Sequence, residues 1–76
     1  MKELLLYIAQ NLVNNPDQVT VTETEKDDQI LFELRAEKSD MGKIIGRQGR
    51  IIKEIRTLMR SVAKRHGKRI SVEIVD

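Results

Sequence analysis

Leu5, Ile8, Ala9, Leu12 and Val13 recur at i, i+3, i+4, i+7 and i+8, the spacing of one helical face, and Asn14-Asn15-Pro16 then stops the pattern. Leu4 and Leu6 widen this apolar stripe beyond half the helix circumference, more than one face packed on a sheet requires. The surplus predicts that part of this first helix meets a second chain. Val19, Thr20, Val21, Thr22 and Thr24 form a β-branched, alternating run, and Ile30, Phe32, Leu34 and Ala36 alternate after Asp27-Asp28, so the two segments read as a hairpin with Phe32 in the core. Ser39-Asp40 offers a helix cap before Met41 to Ile45, a stretch of barely one turn closed by Gly46. After Gly49 the longest pattern begins. It places Ile51, Ile52, Ile55, Leu58, Met59 and Val62 on one face and Lys53, Arg56, Arg60 and Lys64 on the other. It ends near His66-Gly67, where glycine suits the left-handed C-terminal position, and Ile70, Val72 and Ile74 then alternate as a last strand. The predicted order is α-β-β-α-α-β: an α+β fold with a three-stranded sheet packed against three helices.

The chain has 76 residues, enough for one small core, so residues 1–76 are expected to form a single domain. No apolar run approaches the roughly 20 residues a bilayer span needs, and Met1 to Leu6 lack the cleavage pattern of a signal peptide, which makes the cytoplasm the expected address and excludes a membrane role. With no cysteine there is no disulfide framework and no thiolate metal site; stability must come from packing or from oligomerisation.

A net charge of +2 conceals a strong asymmetry. Residues 1–40 carry four Lys or Arg against nine Asp or Glu, a net −5, whereas residues 41–76 carry ten against three, a net +7. One half of the domain is suited to a polyanion, and phosphate backbones are the commonest one.

Within the basic half, two glycines bracket two polar residues in Gly46-Arg47-Gln48-Gly49. A tight link between two helices needs backbone angles that glycine adopts cheaply, and the missing Cβ lets a ligand's backbone come close. Gly49 opens the long helix, whose N-terminal N–H groups favour phosphate, and Arg47 and Arg50 add fixed charge around that point. By itself Gly-x-x-Gly is an ordinary helix-to-helix turn. Here it lies between two helices, follows Ile44-Ile45, precedes an aliphatic helix face and sits in the basic half.

At these residues the chain resembles the KH family, and its element order is similar to the type II arrangement, in which the extra helix and strand precede the minimal core. The length, residues 40–50 and residues 67–76 are similar to small bacterial single-KH proteins. The resemblance implies RNA binding of the RNA-chaperone or post-transcriptional-regulator kind, self-association as a homodimer, and pairing with a larger KH-containing protein. Carried over by position, it makes Gly46, Arg47, Gln48 and Gly49 the clamp loop and Ile45 and Ile52 the shapers of an adjoining aliphatic groove. Lys43, Arg50 and Lys53 complete the candidate RNA-binding set as flanking cations. Such modules grip about four nucleotides of single-stranded RNA, or of single-stranded DNA with the same phosphate chemistry. The composition fits, because Tyr7 and Phe32 alone cannot supply the aromatic platforms of other single-strand binders. Beyond Lys53, the stripe of Arg56, Arg60 and Lys64 reads equally as a phosphate track or as a solvated helix face.

No cofactor, metal or enzymatic activity is expected. Gly42-Lys43-Ile44 does not complete a nucleotide-binding Gly-Lys-Ser/Thr, and Gly42 and Gly46 are small residues in too short a helix to carry membrane meaning. His66, between cations, reads as a solvated helix-end residue; Asp27 and Asp28 read as turn formers. Tyr7, opposite the first helix's apolar face, reads as an amphipathic surface residue. Two further functions stay open beside RNA clamping: a protein-interaction subunit whose partner supplies the RNA affinity, and a ribosome-associated assembly factor. Both the first helix and the later turns of the long one are candidate dimer surfaces.

Overall fold

The computed structural model describes residues 1–75; Asp76, the last residue of the span read as one domain, lies outside them. Three helices and three strands follow in the expected order: α1 (Lys2–Gln10), β1 (Thr20–Lys26), β2 (Gln29–Arg35), α2 (Met41–Ile45), α3 (Arg50–Arg65) and β3 (Arg69–Ile74), a type II KH arrangement. Short 3₁₀ turns precede β1, α2 and α3.

β2 is the central strand, antiparallel to β1 and parallel to β3. Parallel pairing with β3 requires a crossover, which α2 and α3 provide. Because side chains alternate along a strand, Ile30, Phe32 and Leu34 share one face with Val21 of β1 and with Ile70, Val72 and Ile74 of β3. The helices cover this face. Leu5 and Ala9 of α1, Ile44 of α2 and Ile52, Ile55, Met59 and Ala63 of α3 are buried there, and Phe32 is fully enclosed at the centre. The opposite face carries Thr20, Thr22 and Thr24, then Gln29 and Arg35, then Arg69, Ser71 and Glu73, all exposed.

α1 is shorter than its apolar pattern. It closes at Asn11, whose backbone N–H bonds Tyr7 and Ile8 and whose side-chain amide donates to the Tyr7 carbonyl at 2.8 Å, satisfying locally the groups another turn would have used. Leu12 and Val13 follow in a turn and still pack on the core. The surplus width of the stripe is largely absorbed within the chain, since Leu4, Leu6 and Ile8 are partly buried against the same cluster. Tyr7, 66% exposed, and Leu58 of α3, 46% exposed, are the large apolar side chains left outside among the described residues.

Asp40 departs from the expectation of a helix cap. It stands at the N-cap of α2 without capping it and is 1% exposed. Its carboxylate accepts the backbone N–H groups of Asn14 (3.2 Å) and Asn15 (2.9 Å) and the Asn15 side-chain amide (3.0 Å), fastening the α1–β1 connection to the start of α2. α3 ends as its sequence predicts. Gly67, at φ +69°, lets its own N–H reach Lys64 and the Lys68 N–H reach Ala63, a Schellman closure.

Candidate nucleic-acid interface

Between α2 and α3 the chain reverses through Gly46–Gly49, and the backbone explains both glycines unequally. Gly46 sits at φ +77°, ψ 174°, a region essentially confined to glycine, and a Cβ there would lie 2.6–2.9 Å from the Ile51 side chain. Gly49 is left-handed at φ +71°, ψ 19°, with open space around it: the nearest side-chain atom to a Cβ would be Ile52 Cγ2 at 4.0 Å. Gln48 is left-handed too, at φ 56°, an uncommon state for a residue with a side chain. Gly46 also donates its N–H to Gly42 at 2.8 Å and accepts that of Gly49 at 3.2 Å, so the reversal is held by its own backbone.

This geometry turns Arg47, Gln48 and Arg50 outward, all three exposed, around a recess they line with Ile51. The same point is the start of α3, a helix of 16 residues whose N-cap, Gly49, has no side chain to offer its first N–H groups. Those donors, the helix dipole and two guanidinium groups converge on one spot, with no acidic residue between Met41 and Lys53. The arrangement can hold an anion along a backbone.

The other sequence-predicted residues are placed less uniformly. Lys43 is exposed, with Nζ 3.5 Å from the Asp40 carboxylate, so part of its charge is matched within the protein. Burial pushes the Asp40 carboxyl up, but hydrogen bonds from the Asn15 side chain, the Asn14 and Asn15 backbone and Lys43 outweigh it, and the group titrates below its ordinary value. Ile45 is half-buried beside the loop. Ile52 is in the core, where it backs the loop from below rather than lining the surface. Lys53 is exposed and does not line the recess at the loop; its carbonyl accepts the Thr57 hydroxyl at 3.0 Å.

Sequence periodicity missed the open edge of β3. Arg56 and Arg60, one and two turns beyond Lys53, line a recess of about 170 Å³ with Ile70, Ser71, Val72 and Glu73. That is well short of the roughly 300–1,000 Å³ of clefts enclosing a drug-sized ligand, and suits the edge of a flat group better than a whole cofactor. Arg56 donates its Nε–H to the Val72 carbonyl at 3.0 Å. A neighbouring recess continues the groove through Arg60, Lys64, Lys68, Arg69 and Ile70. All three residues of the stripe that read equally as solvated face or phosphate track, Arg56, Arg60 and Lys64, thus border a groove between α3 and β3, a placement the parallel β2–β3 pairing creates. Lys68 closes its far end, ion-paired to Glu25 and 3.8 Å from Asp28; the Glu25 pairing raises its pKa above the ordinary lysine value.

Among the described residues no group of three His, Cys, Asp or Glu is disposed to hold a metal ion, and no helix is long and apolar enough to cross a membrane.

Comparison with known proteins identifies the family. The family model described as "KhpA/KhpB, KH domain" matches residues 2–74. Proteins named "RNA-binding protein KhpA" are similar along their whole length. The one from Chlamydia pneumoniae is 50% identical over 76 residues, covering all of this chain and 97% of the relative. That from Clostridium acetobutylicum is 48% identical over 75 residues, covering 99% and 100%. The Listeria monocytogenes protein is 43% identical over 76 residues, covering both chains fully.

Proposed function

The chain belongs to the KhpA/KhpB family of KH domains, and from that premise we propose that it is a non-catalytic, cytoplasmic RNA-binding protein that grips short single-stranded RNA at the Gly46–Gly49 loop. The observation that carries the reading is the loop itself: two glycines in backbone states that expose Arg47 and Gln48 at the uncapped start of the longest helix. The sugar-phosphate backbone runs over Gly46, Arg47, Gln48, Gly49 and Arg50, with Lys43 and Lys53 flanking it, Ile45 shaping the aliphatic surface beside it and Ile52 backing the loop from the core. From there the strand continues along the α3–β3 groove. Arg56 and Arg60 lie about 10 and 16 Å beyond Gly49 along the helix axis, within the span of the few nucleotides such a module binds. The work is that of an RNA chaperone or post-transcriptional regulator: holding a segment unpaired and available rather than changing it chemically. Mapping a short RNA by amide chemical shifts tests this directly. Shifts at Arg47–Arg50 and Ser71–Glu73 with none at Thr22–Lys26 are expected; shifts confined to the hairpin would move the site.

Four nucleotides provide few contacts, so affinity gains most from joining two modules. A second reading, favoured by Leu58, therefore accompanies the first: self-association, and pairing with a larger KH protein of the KhpB kind, through the later turns of α3. With the apolar face of α1 absorbed by the core, Leu58 and its half-buried neighbour Val62 form the better-placed apolar surface. Light scattering should find a mass near twice the monomer's 8.8 kDa; a species of monomer mass at working concentration contradicts the homodimer.

A further inference from the structure

The middle of the α3–β3 groove carries chemistry that the backbone clamp does not use. In the parallel ladder, the Arg69 N–H donates to Asp28 at 2.8 Å and the Val75 N–H to Leu34 at 2.9 Å, so odd-numbered residues of β3 turn their backbone groups toward β2. Ile70, Val72 and Ile74 must then turn theirs to the open edge. An open strand edge offers an approaching base alternating donors and acceptors, and so little discrimination. Here the central acceptor is taken: the Val72 carbonyl receives the Arg56 Nε–H. A guanidinium has five N–H donors in a planar fork and no acceptor. With Nε fixed on Val72, the remaining four are held at the recess formed by Arg60, Ile70, Ser71, Val72 and Glu73, and no described residue lies at ion-pair distance from them. Arg56 thus converts the acceptor at the centre of the edge into a set of oriented donors.

We propose that Arg56 is a specificity-determining residue that makes this groove favour bases with a carbonyl edge, uracil and guanine, over cytosine and adenine. The inference rests on the reading that single-stranded RNA follows the groove. Uracil O4 and guanine O6 accept hydrogen bonds where cytosine and adenine present an amino group. An amino group meets the Arg56 fork donor to donor, and it reaches the Val72 carbonyl only by sharing an oxygen that already receives a charge-assisted bond. Ser71 and Glu73, which flank Val72, carry their side chains on the sheet face away from the helices, and the Ile70 carbonyl lies two residues along the strand, so the acceptors an amino base could turn to lie off the centre of the edge, which is left to Arg56.

Uracil and cytosine tracts make the cleanest comparison, since both are pyrimidines and differ at the edge in question. Fluorescein-labelled U and C oligonucleotides of equal length would be titrated with the intact protein, Arg56→Lys and Arg56→Gln, at two salt concentrations, with circular dichroism for folding. The intact protein should favour the U tract by about fivefold to tenfold, the low end of what one well-placed base contact supplies. Arg56→Lys keeps the charge but replaces the planar fork with a flexible point donor. It should hold the U tract within a few-fold, with the same salt dependence, while the preference collapses toward unity. Arg56→Gln, which offers an acceptor as well as donors, should give the same collapse and guards against a lysine variant that does not fold. Equal affinity of the intact protein for both tracts, or a preference untouched in folded variants, overturns the role of Arg56 and leaves the clamp standing. Failure of the intact protein to bind either tract overturns the clamp and this inference together.

Discussion

The two ends of the sheet have been built to opposite purposes. At one, β1 and its turn to β2 carry Glu23, Glu25, Asp27 and Asp28 on a strand in which Val21 alone is buried; at the other, the Gly46–Gly49 loop, α3 and β3 set Arg47, Arg50, Arg56, Arg60 and Arg69 around their recesses. Glu23 and Glu25 share the register face of Phe32 and Ile30, so the outer strand points charge toward the layer where apolar side chains would otherwise continue. That discourages another strand from adding at this edge and also repels a polyanion. The open edge of β3 is treated differently, with Arg56 seated on it. Net charge therefore says less about this domain than the division of charge between two sheet edges, one guarded by acids and one furnished with donors.

The sharpest way to break the comparison is at Gly46. Gly46→Ala combines a glycine-only backbone state with a collision on Ile51, and should cost about 2–4 kcal/mol in stability and unseat the loop. Gly49→Ala, with open space around it, should cost only about 1–2 kcal/mol for the left-handed backbone. Urea unfolding of the two variants checks the ratio. Equal losses would mean that the loop is not shaped as described.

Asp40 should come next, because its buried carboxylate ties the α1–β1 connection to the helix carrying the loop. Its carboxyl titrates below the ordinary value, so the stability it contributes is present above the unfolded-state pKa and lost as the pH falls through the lower folded value. Thermal midpoints followed from neutral pH downward should converge for the parent and Asp40→Asn in that acidic window, with the parent clearly higher at neutrality. A constant gap at all pH values would contradict this.

The smallest effect is expected at the boundary between the two regions. Glu25→Gln with Asp28→Asn frees Lys68 at the end of the groove, and should leave stability nearly unchanged while tightening RNA binding a few-fold and steepening its salt dependence. Weaker binding would show that the acidic end assists the ligand.

Much of this was legible in the chain because it depends on local pattern. Period-3.6 and period-2 runs placed α1, α3 and the three strands, Gly46 marked the end of the short α2, and Gly67 marked the end of α3. What was not legible depends on residues far apart in sequence. The end of α1 turned on an Asn11 side-chain bond that competes with the apolar stripe, and the surplus width of that stripe packs, partly buried, against the core. Asp40 looked like a cap because nothing in its neighbourhood announces partners 25 and 26 residues away. Of the candidate site, the loop was visible as a motif, whereas the recess at Arg56 exists only because β3 lies parallel to β2 and turns Val72 toward α3. Lys53, chosen by periodicity, stands on the same stripe yet outside the recess.

The most direct test of the central claim is a fluorescence titration of a short single-stranded RNA into the parent protein and its Arg47→Asp, Gln48→Asp variant at two salt concentrations, with circular dichroism to establish that both are folded. Binding by the parent that weakens with salt, as released counterions require, and that is abolished in the folded variant is the predicted result. Undiminished binding by the folded variant, or binding indifferent to salt, would contradict the account.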